Sequence, residues 1–112
     1  MKVVYIAGPF RGPDAWCIEQ NIRKAEAVAL DVWRLGAACL CPHANTRFFQ
    51  GAAPDTLWLD GNLEMLRRCD AVLMVDGWQD SSGAQRERAE ALSNHIPAFT
   101  TVDDLRDWLA KH

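Results

Sequence analysis

Glu87 closes the run Ser81-Ser82-Gly83-Ala84-Gln85-Arg86-Glu87, the part of the chain best suited to chemistry. Two serines and a glycine are residues that open helices, and a glutamate on the first turn would be held ionised by the helix N-terminus. A charged carboxylate oxygen at the edge of a sheet is what nucleophilic attack on the anomeric carbon of a sugar requires. First-turn glutamates also occur simply because they complement the helix dipole. A second run, Tyr5-Ile6-Ala7-Gly8-Pro9-Phe10-Arg11-Gly12, leaves the apolar residues Val3, Val4 and Ile6 for a loop with two glycines, a proline and an arginine. Such a turn lets backbone N–H groups approach a small anionic molecule, to which Arg11 adds a fixed charge with bidentate geometry. His43 and Asn45 follow a later apolar run and could contact a base or a phosphate. Trp78, just before Ser81, could stack on a base or close a pocket.

These residues need a scaffold, and the hydrophobic pattern supplies one. After Pro13-Asp14, the residues Ile18, Ile22, Ala25, Ala29 and Val32 recur at spacings of four and three, which predicts an amphipathic helix ended by Gly36. Ala37 to Cys41 is a short apolar run stopped by Pro42 and reads as a fully buried parallel strand. Residues 43–54 lack periodicity and read as a long loop, of the kind that often carries function. Leu59, Leu63 and Leu66 mark a second helix over 56–68, and Ala71 to Val75 a third strand. A helix from about Gly83 to Asn94, a short strand at 98–100 and a last helix capped by Thr101 complete the pattern. Alternating strands and helices imply an α/β, Rossmann-like three-layer sandwich with a parallel sheet of four or five strands. Three loops, at 7–13, 42–55 and 76–83, then converge on the carboxyl edge of the sheet, where open α/β folds bind ligands.

Composition narrows the function classes. The chain has 112 residues, 49% hydrophobic and 24% charged, in the range of one globular domain, residues 1–112. A net charge of −3 gives no basic field for a polyanion, so nucleic acid is not an expected partner. The start Met1-Lys2-Val3-Val4 enters a strand at once, so neither a signal peptide nor a membrane span is expected, and a cytoplasmic location is. Cys17, Cys39, Cys41 and Cys69 form no C-x-x-C pair; they read as reduced, mostly buried thiols, with neither metal nor cofactor implied. Five tryptophans are many for this length and favour an oligomer interface.

The chain resembles the nucleoside 2-deoxyribosyltransferase superfamily. A Tyr-x-x-Gly-[Pro/Ser] run, here Tyr5, Gly8 and Pro9, ends the first strand, and a Gly-x-x-x-Glu run, here Gly83 and Glu87, carries the nucleophile. The resemblance is nearest the branch that acts as 2′-deoxynucleoside 5′-monophosphate N-glycosidases, and to short bacterial and phage proteins that begin Tyr-Ile-Ala-Gly-Pro. In that branch an arginine three residues after the glycine and a serine six before the glutamate bind the 5′-phosphate. Arg11 and Ser81 stand there, and His43 matches a further histidine. Where the superfamily has aspartate before a leucine on the second helix, this chain has Asn62-Leu63, with Asp60 a half-turn earlier. Asparagine hydrogen-bonds but cannot exchange a proton.

The resemblance implies that Glu87 attacks C1′ of a (deoxy)nucleoside 5′-monophosphate, that Tyr5 orients it, and that Asn62 or Asp60 positions sugar and base. Gly8, Pro9, Phe10, Arg11, His43, Asn45, Trp78, Ser81, Ser82 and Gly83 would surround the substrate. Hydrolysis would give free base and sugar phosphate. The alternatives are transfer to a second base, and a binding or sensing module that cuts nothing. The resemblance also implies a homodimer or higher symmetric assembly.

Overall fold

The computed structural model describes residues 1–112, from Met1 to His112. In chain order the elements are β1 (Val3–Ala7), α1 (Ala15–Arg34), β2 (Ala38–Leu40), α2 (Pro42–Asn45), α3 (Asp55–Arg67), β3 (Ala71–Met74), α4 (Ser82–Ser93), β4 (Ala98–Phe99) and α5 (Val102–Lys111), with a 3-10 turn at Trp78–Asp80. The sheet has four strands in the order β2-β1-β3-β4, every neighbouring pair parallel. This is the α/β architecture that the alternation of elements predicts. Its chain reverses direction across the sheet at the β1/β3 boundary, which opens a crevice beyond the carboxyl ends of those two strands.

Strand alternation decides which side chains meet. Val4 and Ile6 of β1 face one layer, where they pack with Ala25, Ala29 and Val32 of α1 and Leu105 of α5. Tyr5 and Ala7 face the other layer, with Leu66 of α3 and Ala84 and Ala91 of α4. The period of two therefore sends the Tyr5 ring toward α4. Leu66, Leu73 and Leu105 are almost wholly buried, each contributing about 1.5–3 kcal/mol of transfer free energy.

The helix ends follow local chemistry. The Asp14 carboxylate accepts from the Cys17 N–H at 2.8 Å and opens α1. Ser81 Oγ accepts from the Ala84 N–H at 3.2 Å and opens α4, and Thr101 does the same for α5.

Some expectations change. The run Ala37–Cys41 yields only the three-residue edge strand β2, which is half-buried, because one side of it has no neighbouring strand. Residues 43–54 are not all loop, since Pro42 at the first helical position starts the one-turn α2. No fifth strand forms. Among the cysteines only Cys69 is buried, and Cys17, Cys39 and Cys41 are half-buried. Burial pushes the Cys39 thiol up to about 12 and Cys69 to about 11, which keeps both protonated and unreactive. Of the tryptophans, Trp16 and Trp33 on α1 are 71% and 54% exposed.

Candidate active site

At the carboxyl edge of β1 and β3 lies a cavity of about 800 Å³. Its walls come from the first loop (Gly8 to Arg11), the α2 region (Pro42, His43, Thr46, Gln50), one face of α3 and the turn from Gly77 into α4. Backbone packing fixes its shape. The Val75 N–H donates to the Ala7 carbonyl at 2.8 Å, prolonging the β1/β3 pairing past the strands. A Cβ on Gly8 would then lie 2.6 Å from Val75 Cβ, so only glycine lets the first loop leave the sheet here. Gly77 turns the chain with φ of 91°, a left-handed conformation that suits glycine.

Glu87 lines this cavity, and behind it the phenol O–H of the fully buried Tyr5 donates to Glu87 Oε2. Glu87 lies three residues after Ala84 and four before Ala91, the two buried alanines of α4, and so shares their inward face. The expectation that the helix N-terminus keeps this carboxyl acidic is not met. Burial raises the Glu87 pKa from 4.5 to about 7, against the lowering effect of the Tyr5 hydrogen bond. The physical reason is position: Glu87 falls on the second turn of α4, where the dipole has faded and desolvation dominates. Burial, followed by the neighbouring carboxylate, pushes the Tyr5 phenol far above its ordinary value, so it remains a donor throughout.

Arg11 reaches over the first loop, where one guanidinium N–H donates to Asp55 Oδ2 at 2.7 Å; the side chains are 69% and 52% exposed. Asp55 is the first residue of α3, and neither residue's pairing is evident from sequence. His43 is buried, and its Nε2–H donates to the Pro9 carbonyl at 2.9 Å. Its ring packs edge-on against Phe10, with centroids 5.6 Å apart. Desolvation lowers the His43 pKa, so the neutral imidazole holds the loop that carries Pro9, Phe10 and Arg11. Ser81, Ser82 and Gly83 also line the cavity. Ser81 Oγ accepts from the Ala84 N–H, and its own O–H remains available to a ligand.

On α3 the cavity face is Asp55, Trp58, Leu59, Asn62 and Leu63, the helical one-turn spacing. Asn62 therefore lines the cavity, and Asp60 does not. Two residues amount to about 200° of helix, so Asp60 is exposed on the far side and outside the cavity. Asn45 also turns away, its amide reaching Met65 Sδ at 3.9 Å. Trp78 packs on the buried cluster around Tyr5 and beneath the Arg88 guanidinium, 5.2 Å from the ring centroid, rather than in the cavity. Sequence reasoning missed Thr46, Gln50, Asp55, Trp58, Asp80 and Arg86, all of which line it. Extending the α3 periodicity from Asn62 back one and two turns would have found Trp58 and Asp55.

The arrangement combines a buried carboxyl fixed by a phenol, two arginines at one cavity and a neutral histidine bracing the intervening loop. It can present a carboxylate to an electrophilic carbon while anion-binding groups hold another part of the same small molecule. The cavity volume is in the usual range for small-molecule sites.

Comparison with known proteins gives a family match and a fold match. The model described as "Domain of unknown function (DUF4406)" matches residues 2–99. No curated protein matches the chain. Among solved structures the chain is similar to the 2-deoxyribosyltransferase of the psychrotolerant bacterium Bacillus psychrosaccharolyticus, described as a biocatalyst for nucleoside synthesis. The TM-score is 0.62 at 20% identity, covering 86% of this chain and 69% of that one. At that identity the likeness shows the fold. No helix of the chain is long and apolar enough to cross a membrane.

Proposed function

The chain belongs to the DUF4406 family, and we propose that it cleaves the N-glycosidic bond of a (deoxy)nucleoside 5′-monophosphate, with residues 1–112 acting as one catalytic domain. The observation that carries this reading is the Tyr5 hydroxyl donating to the Glu87 carboxylate at the wall of a cavity lined by Arg11 and Ser81. Glu87 attacks C1′, a C1′–O bond forms, and the glycosidic C1′–N bond breaks with its electron pair leaving on the base, which takes a proton from solvent. Water then attacks C1′ of the glycosyl ester, frees Glu87 and releases the sugar 5-phosphate. If a second base attacks instead of water, the same site is a deoxyribosyltransferase. Arg11, the Gly8 loop and Ser81 hold the phosphate, and Asn62 positions sugar and base.

One observation favours a different reading. Asp60 lies off the cavity and Asp55 is paired with Arg11, so Asn62 is the unpaired polar residue that α3 offers a substrate, and its amide cannot exchange a proton. A nucleotide-binding module that cuts nothing would need no more. Incubation with the deoxy- and ribonucleoside monophosphates, followed by chromatography for free base, separates the two. Base release supports the enzyme, and tight binding without release supports the module. The assembly in the enzymatic reading is a symmetric dimer or higher symmetric oligomer, which light scattering would contradict by giving a monomer.

A further inference from the structure

Arg86 directly precedes Glu87 in the Ser81–Glu87 run and lines the cavity beside it, yet its residue type and spacing alone assign it no role. The charged side chains there are Arg11 and Arg86 against Asp55, Asp80 and Glu87. Arg11 is already engaged by Asp55 at 2.7 Å. Arg86 makes no ion pair. Glu90, four residues on along the same helix, feels the Arg86 charge but is bonded to Arg67 at 2.6 Å. The cavity therefore holds one guanidinium whose donors are committed in part and one whose donors are free of any carboxylate.

That difference matters for a phosphomonoester, which carries up to two negative charges near neutral pH. To reach Arg11 it must compete with Asp55, whereas Arg86 requires no exchange of partners. Binding near Arg86 also places the anion by the Ser81–Gly83 backbone, where α4 has no acidic residue in its first turn, unlike α3 with Asp55 and α5 with Asp103 and Asp104.

We propose that Arg86 is a specificity-determining residue that selects phosphate-bearing ligands over free nucleosides, in partnership with Arg11. The inference rests on the nucleotide reading of the cavity. Calorimetry with the four deoxynucleoside monophosphates, the four matching nucleosides and ribose 5-phosphate tests it on the wild type, Arg86→Gln, Arg86→Lys and Arg88→Gln. Arg88 lies outside the cavity and controls for lost charge on α4. Arg86→Gln should weaken the monophosphates about tenfold or more, change the nucleosides less than about twofold, and be partly rescued by Arg86→Lys; Arg88→Gln should do neither. An unchanged ratio of monophosphate to nucleoside affinity in Arg86→Gln overturns the role of Arg86. If the wild type binds ribose 5-phosphate through Arg86 but no nucleotide, the nucleotide reading fails and the phosphate role stands. If it binds none of these ligands, both fail.

Discussion

Replacing Glu87 by glutamine should make the protein more stable above neutral pH, an effect separable from catalysis. The carboxyl titrates at about 7 in the fold against 4.5 ordinarily, because burial disfavours its charge. The folded state therefore binds this proton more tightly than the unfolded chain. The resulting stability is complete below 4.5 and is lost as pH rises through 7. Between pH 5 and pH 8 the linkage relation gives a loss of about 2–3 kcal/mol from this group alone. In Glu87→Gln the loss is absent, while the Tyr5 O–H can still donate to the amide oxygen. Urea unfolding of both proteins at pH 5 and pH 8 measures the difference between their stabilities. That difference should move in favour of the variant by about 2–3 kcal/mol. A difference that is the same at both pH values would refute a buried carboxyl with a raised pKa, and with it the electrostatic description of the site.

Three further outcomes follow from the same geometry. The nucleophile must be ionised, so base release should rise with pH through about 7, and a rate falling across that range would contradict the role of Glu87. Tyr5→Phe removes the hydrogen bond that favours the charged form; the midpoint of that pH profile should move upward, and denaturant titration should show a loss of about 1–3 kcal/mol from an unpaired buried group. Gly8→Ala places a Cβ 2.6 Å from Val75 Cβ and should lower stability by about 1–3 kcal/mol in thermal unfolding, whereas Gly61→Ala, with open space around its Cβ, should not show a comparable overpacking loss.

Much of this architecture is legible in the sequence because its signals are local. The spacing of Ile22, Ala25, Ala29 and Val32 marks the buried face of α1 without reference to any other element. The meeting of Tyr5 with Glu87 follows once the alternation of β1 and the Gly83-to-Glu87 spacing are set on adjacent elements. What escaped the sequence depends on contacts between distant segments. The Arg11–Asp55 pair spans 44 residues, and the His43 bond to Pro9 spans 34. Asp60 and Asn62 are near neighbours in sequence, but only the docking of α3 decides which faces the cavity. The sign of the Glu87 shift could not be read locally either, since burial and the Tyr5 hydrogen bond act in opposite directions and both arise from the packing of α4 against β1.

In the proposed reaction the Glu87 carboxylate forms a bond to C1′ of a nucleotide. Its most direct measurement is mass spectrometry of acid-quenched mixtures of the protein with the monophosphate panel, alongside the rate of base release by Glu87→Gln. A sugar-phosphate ester on the peptide containing Glu87 and no turnover by the variant are expected. Base release by Glu87→Gln at the wild-type rate would contradict that reaction.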